Sequence, residues 1–334
     1  NSKIKHPGTV KIWAQVSKNM IASNINENLI VDSIVFPRLS NSFKYLNFFI
    51  KNLLSLLIAI YGFMIGKWWY GYLYEESVFL NYLKFLSKDE IAEHYYFSVS
   101  SWFYEPLWAH EVESRGKSVS LYSYSVNMDK SKEHLYKYPH TYGTRNLLWN
   151  NFIVWDDHQR KFWVRYRPEA KFQIIGYLSQ SGYEYTPLKK TNKKTLSIFD
   201  VTPMRLVRYT SVGYTESPYS EEMNLRFFQD IIDCVDFDKW EILWKQKRKI
   251  SSDFISINFL NKREKIIGKR VEKVDPGVAA ESLIKHSDAV ISMPFSSPSV
   301  IAKVEGVASV FYDSTNYIDI QERHGLFYLK NKNE

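Results

Sequence analysis

The sequence predicts an α/β protein made of two Rossmann-like domains facing across a cleft. Three observations carry that expectation. Short apolar runs of strand length alternate with amphipathic helical stretches, as in parallel sheets joined by crossover helices. The alternation restarts after a polar stretch at residues 179–195, dividing the chain into residues 1–190 and 191–334. Several runs in the second half also end in polar residues, at the carboxyl edge where open α/β sheets bind ligands. A length of 334 residues suits two domains with large cores.

In chain order, residues 29–36 form an apolar, strand-like piece. A hydrophobic helix is expected near residues 48–73. Its uncharged part, residues 52–66, is shorter than the roughly 20 residues that span a bilayer. Lys51 and Lys67 bracket it, and Trp68, Trp69, Tyr70 and Tyr72 follow, as interfacial aromatics do. Three readings stand: a buried helix of the first domain, a helix lying on or dipping into a membrane, and a span.

Residues 94–101 read as a strand, residues 105–115 as the helix after it, and Gly116 as its stop. Residues 119–124 and 151–155 are further strands, with Asp156 and Asp157 placed to cap a helix through Trp163. Residues 171–177 (KFQIIGY) end the first half. The second half opens with a strand at 196–199, then Asp200-Val201-Thr202-Pro203. Ser220-Glu221-Glu222 starts a helix running to about Val235, with Phe227, Phe228, Ile231 and Ile232 on its apolar side. Strands follow at 241–245 and 271–274, and a helix at 279–285. A buried strand then runs into Pro294-Phe295-Ser296-Ser297-Pro298, and a last strand ends in Tyr312-Asp313.

A net charge of +8 fits anionic partners such as phosphorylated molecules or anionic lipid. No zinc-finger spacing, RNP motif or basic heptad region points to nucleic acid. The single cysteine, Cys234, excludes an internal disulfide and a multi-cysteine metal site, and its apolar neighbours predict burial. Neither a GxGxxG nor a Walker sequence occurs. Asp236-Phe237-Asp238 reads as a surface triplet, and no metal is expected.

Candidate site residues collect at the strand ends. Ser296 and Ser297 offer hydroxyls and backbone N–H groups at a helix start, with Pro298 suited to the first turn. Such a start is an anion site, because orphan N–H groups and the helix dipole face the ligand. Lys245 and Lys247 fall on one side of an extended run and can pair with phosphate oxygens, or form a solvated basic loop. Asp275 and Tyr312 end strands and can contact base or ribose, or serve plain turns. Asp200 can act as nucleophile or base, or cap its turn. Glu105 can act as general acid or base, with Glu111 and Glu113 as competitors, or stabilise a helix start.

Residues 196–315 resemble bacterial surface-polysaccharide glycosyltransferases of the GT-B type. The resemblance rests on Phe199-Asp200-Val201-Thr202-Pro203, Lys245-Gln246-Lys247-Arg248, Asp275-Pro276, Ser287-Asp288, Pro294-Phe295-Ser296-Ser297-Pro298 and Tyr312-Asp313. It is most similar to retaining β-Kdo transferases, and the Ser-Ser pair also looks like the nucleotide-phosphate motif of bacterial sialyltransferases. The resemblance implies a CMP-linked 3-deoxy-ulosonic acid donor, with Asp200 matching the carboxylate that attacks the anomeric carbon. Lys245, Lys247, Ser296 and Ser297 would hold the CMP phosphate with no metal cofactor, and Glu105 would be the partner acid/base. It further implies a lipid-linked glycan acceptor, and a cytoplasmic location peripheral to the inner face of the membrane. A UDP-sugar or polyol-phosphate transferase on the same fold, and a non-catalytic scaffold of a polysaccharide assembly complex, are the alternatives.

Overall fold

The computed structural model describes residues 10–13, 29–32, 36, 38–98, 105–123, 147–178, 184–187, 192–203, 220–247, 255–294, 296–316 and 325–334. The loop expected at 209–219 and Phe295 lie outside these residues. The chain is α/β and divides into two compact units: Asn1–Phe97 with Tyr104–Ser120, and Ser98–Phe103 with Leu121–Glu334.

In the first unit, β1 (Val10–Trp13) and β2 (Leu29–Asp32) pair in parallel. The expected hydrophobic helix is in fact two helices, α1 (Ser42–Met64) and α2 (Tyr70–Lys84). Asn41 caps α1 by accepting from the Lys44 N–H at 2.8 Å. The break falls at Gly66, whose φ of 79° favours glycine. There the Gly66 N–H donates to Phe63 C=O (3.0 Å) and the Lys67 N–H to Gly62 C=O (2.9 Å), closing the helix end. Next come β3 (His94–Phe97), α3 (Leu107–Ser114) and the start of β4 (Ser118–Tyr122). Trp108 anchors this core, with Phe36 at its ring edge (5.3 Å) and Tyr95 at 5.5 Å.

The reading of residues 48–73 as a buried helix is overturned. Most large apolar side chains of α1 are exposed, among them Phe49 at 64% and Leu57 at 55%.

In the second unit, β5 (Asn151–Val154) pairs in parallel with the end of β4 and with β6 (Lys171–Ile174). Asp156 caps α4 (Asp157–Val164), accepting from the Gln159 N–H at 2.9 Å as its position predicts. The six-stranded sheet follows: β7 (Lys194–Phe199), β8 (Trp240–Lys245), β9 (Val271–Val274), β10 (Ala289–Ser292), β11 (Ala308–Tyr312) and β12 (Phe327–Leu329). Their order across the sheet is β12-β11-β10-β7-β8-β9, and every pairing is parallel. Counted from β7 as the first strand, that is the 3-2-1-4-5-6 order of a doubly wound Rossmann sheet. The order reverses between β7 and β10, and the carboxyl edge at such a reversal is where doubly wound sheets bind ligands.

Strand alternation feeds a core on each face. Phe199, Leu243, Val290 and Phe311 join one cluster, and Ile198, Trp244, Val271 and Tyr312 the other. The second cluster packs under α5 (Glu221–Cys234), which Ser220 caps through the Met223 N–H at 3.3 Å. Phe228 of α5 is fully buried with its ring 4.9 Å from Trp244. Phe228→Ala should cost about 3–5 kcal/mol by cavity formation. Urea unfolding will check this as a lower midpoint at unchanged slope.

Cys234 corrects an expectation of burial. It is exposed at the end of α5, because the apolar face there is Phe227, Phe228, Ile231 and Ile232, and residue 234 turns away from it. Three elements were not expected: β1, α6 (Ile257–Ile267) and the three-residue β12. The helices before and after β10 are α7 (Ala280–Lys285) and α8 (Ser297–Val304).

Candidate functional site at the switch point of the six-stranded sheet

Asp200 stands directly beyond β7, and α8 begins four residues beyond β10. These are the two strands that flank the switch point. The Met293 N–H still donates to Phe199 C=O at 3.1 Å, so the strands stay paired up to Asp200.

Asp200 is 3% exposed. The Asn224 amide from α5 approaches its Oδ2 at 3.5 Å, and its Oδ1 makes no hydrogen bond among the described residues. Burial pushes its pKa up to about 6, and the Trp244 indole, the Arg263 charge, Asn224 and the Lys247 backbone offset only part of that rise. A carboxyl in this state is half-ionised near pH 6 and mostly ionised at pH 7, as a base or nucleophile needs.

Two buried cations face it. Lys245, the last residue of β8, donates from Nζ to Pro276 C=O at 3.2 Å. Burial lowers its pKa, and the Asp200 and Asp275 carboxylates oppose that shift. Arg263 on α6 is 4% exposed and lies over the rings of Trp244 (4.7 Å) and Phe259 (5.2 Å). Its Nε and Nη1 make no hydrogen bond among the described residues, and burial lowers its pKa against the pull of Asp200. Sequence reading missed Arg263 because it sits in Lys262-Arg263-Glu264-Lys265, a run that reads as a solvated helix face. The available signal was helical spacing: Phe259, Arg263 and Ile267 fall at i, i+4 and i+8 on the buried side.

The expected anion site falls where α8 begins, and its two serines differ. Ser296 flanks α8 in extended conformation but does not cap it: its hydroxyl donates to Met293 C=O at 2.7 Å. Ser297 is half-buried and has no hydrogen-bonded side chain among the described residues, so its hydroxyl and the first N–H groups of α8 are open to a ligand. Behind them, Ser292 and Ser299 share a hydrogen bond of 2.6 Å, and the Ser299 hydroxyl bonds Val310 C=O at 2.8 Å, tying α8 to β10 and β11.

Asp275 is exposed after β9, its Oδ1 accepting from the Gly277 N–H at 2.6 Å. Lys247 is exposed beyond β8. Tyr312 is buried, and its hydroxyl donates to Asp230 on α5 at 2.7 Å, so its side chain is committed to the core. Asp313 next to it takes the hydrogen bonds of Tyr328 (2.8 Å) and Thr315 (2.6 Å) and organises the turn.

Glu105 belongs to the first unit, just before α3, with a fully buried side chain 3.8 Å from His110 Nδ1. Glu105, His110 and Glu113 each bring a ligand atom within 4.8 Å of the others and could hold a cation. The spacing E-x4-H-x2-E matches no familiar metal motif, which is why sequence reading passed over it.

The family model described as "Polysaccharide biosynthesis PFTS motif protein" matches residues 53–334. No curated protein matches by sequence. Among solved structures, HepE of Anabaena in complex with UDP-glucose is similar at 11% identity and a TM-score of 0.38, covering 67% of this chain and 61% of that one. A glycosyltransferase from Rickettsia africae is similar at 12% identity and a TM-score of 0.40, covering 91% and 71%. The pneumococcal O-GlcNAc transferase GtfA with UDP and GlcNAc is similar at 8% identity and a TM-score of 0.43, covering 78% and 49%. The chain thus spans about three-fifths of the first of these and half of the last.

Proposed function

The chain belongs to the polysaccharide biosynthesis PFTS motif family, and from that premise we propose that it is a glycosyltransferase that moves a sugar from a nucleotide-activated donor onto a surface glycan. One observation carries the reading: a buried carboxyl with raised pKa and an uncapped helix start flank the switch point of a 3-2-1-4-5-6 sheet. Read as one-letter residues, PFTS differs from Pro294-Phe295-Ser296-Ser297 at a single position, where Ser296 keeps the hydroxyl of threonine.

In this reading the donor phosphate sits on the α8 N-terminus, bonded by backbone N–H groups and the Ser297 hydroxyl, with Ser296 shaping the turn. Lys245 and Lys247 neutralise its charge, and Asp275 takes a ribose or base hydroxyl. A monophosphate-linked donor suits this inventory, because two lysines and a helix dipole can balance one phosphate without a divalent cation. We therefore assign a CMP-linked ulosonic acid of the Kdo type as donor, with retention. The Asp200 carboxylate attacks the anomeric carbon, the bond to the CMP phosphate breaks, and CMP leaves with the electron pair. The acceptor hydroxyl then displaces Asp200 and gives its proton to a general base. The acceptor is a lipid-linked glycan at the inner membrane face. Residues 1–190 would form the acceptor-side domain and residues 191–334 the donor domain of a GT-B pair.

A thermal-shift and calorimetric panel of CMP, UDP and GDP tests the donor. CMP should raise the melting temperature, and Lys245→Ala should weaken CMP binding about 10- to 100-fold, the loss expected for one charge-assisted contact. Preference for UDP would replace the CMP assignment with a UDP-sugar donor, and no nucleotide binding at all would defeat the enzymatic reading.

A further inference from the structure

The α1–α2 pair is built inside out. The residues of α1 that turn toward α2 are Phe48, Asn52, Ser55, Ala59 and Gly62, at alternating spacings of four and three. Asn81 of α2 donates to Asn52 Oδ1 (3.5 Å) and Ser55 Oγ (3.4 Å), and the Asn52 amide donates to Phe48 C=O (2.8 Å). The Tyr70 ring lies so close to Gly62 that a Cβ there would fall 2.4 Å from Tyr70 Cγ. Apart from Phe48, the α1 side of the helix–helix seam is therefore made of small and amide side chains, packed against α2 aromatics such as Tyr70 and Tyr82. The outward surface carries Phe43, Leu46, Phe49, Leu53, Leu57 and Phe63, all exposed. No side chain among the described residues covers that surface.

A helix packed in water turns its leucines inward and its amides outward. The reverse arrangement, with small residues and hydrogen-bonded amides inside and large apolar groups outside, is what a hydrocarbon solvent selects. The charge pattern agrees. Residues 42–74 contain Lys44, Lys51 and Lys67 and no carboxylate, which complements anionic headgroups. Trp68 and Trp69, exposed at the turn, are the residues that settle at the headgroup level.

We propose that the outer face of α1 embeds in the hydrocarbon of an anionic bilayer, with the helix lying in the membrane plane. This deepens the membrane-surface part of the proposed function and rests on it. The 23-residue helix is long and apolar enough to cross a membrane by length and composition. Its uncharged run of residues 52–66 covers only about 22 Å, against a core of about 30 Å. Alongside it, α2 carries Glu75 and Glu76, and Glu76 accepts the Leu107 N–H at 2.9 Å, holding α2 to α3. A span would drag those carboxylates into lipid. In the plane, α2 and α3 stay on the aqueous side, Lys44 keeps its 3.5 Å ion pair with Glu90, and the exposed Lys51 and Lys67 carry the positive charge offered to the phosphates.

Flotation of the full chain with phosphatidylcholine vesicles, alone or with phosphatidylglycerol, provides the test. The protein should float with the mixed vesicles and remain bound in 1 M NaCl. Phe49→Asp with Leu57→Asp should cut the bound fraction at least tenfold while leaving the nucleotide-induced thermal shift unchanged. Ile58→Asp with Phe63→Asp repeats the test on neighbouring outward positions. Complete release by salt would overturn the embedding, as would equal flotation of wild type and variants. So would a dimer that fails to float and becomes monomeric in the variants, since the face would then be a protein interface. Nucleotide binding without flotation defeats this inference alone, and flotation without nucleotide binding defeats the donor reading alone.

Discussion

Asp200→Asn should stabilise the protein by about 3 kcal/mol at pH 7.5 and abolish sugar transfer. The Asp200 carboxyl moves from an ordinary value of 3.8 to about 6 on folding, with burial as the leading cause. Between those two values the folded chain binds more protons than the unfolded one, so stability falls as pH rises through that window. The group's contribution is fully present below pH 3.8 and gone above about 6. Asparagine mimics the neutral acid and removes the dependence. Urea unfolding should show the variant gaining at pH 7.5 and matching the wild type near pH 4. Transfer should fall by at least a thousandfold, as expected when an attacking carboxylate becomes an amide. Wild-type kcat/KM should rise with pH along a limb centred near 6. A variant with full activity, or with no gain in stability, would show that Asp200 is an ordinary turn residue.

Five strands of the six-stranded sheet were legible because each is a short run that carries apolar residues and ends in polar ones. Ser220-Glu221-Glu222 and Asp156-Asp157 marked their helix starts through capping chemistry. What escaped had physical reasons. β12 has three residues, too few for a period, and becomes a strand by pairing in register with β11. α6 hides its apolar positions among Lys, Arg and Glu. The hydrophobic stretch before residue 73 announced its composition but neither its break nor its exposed face, because the break depends on the conformation of Gly66 and the exposure on what α2 covers. Within the site, residue types at strand ends could be read directly. Which serine spends its hydroxyl on the backbone, and that Tyr312 points into the core, depend on side-chain direction.

Arg263→Met separates a residue that tunes Asp200 from one that binds the donor. The guanidinium lies buried on Trp244 and Phe259, and its charge favours the ionised form of Asp200. Methionine keeps much of the volume and removes the charge. Asp200 then keeps its burial with less positive charge to offset it. Its pKa should climb by about one further unit, the low end of the effect of a neighbouring arginine on a carboxylate. The acid limb of kcat/KM should move up by the same amount, so transfer at pH 6.5 falls about threefold and recovers by pH 8.5. Stability should be little changed near pH 5, where Asp200 is protonated, and lower above pH 7, where its charge has lost one of its two cations. Nucleotide affinity should be unaffected. An unshifted pH limb with weakened nucleotide binding would move Arg263 from Asp200 to the donor phosphate. An unshifted limb with unaltered binding would make it a packing residue, and the raised pKa of Asp200 would then be a matter of burial alone.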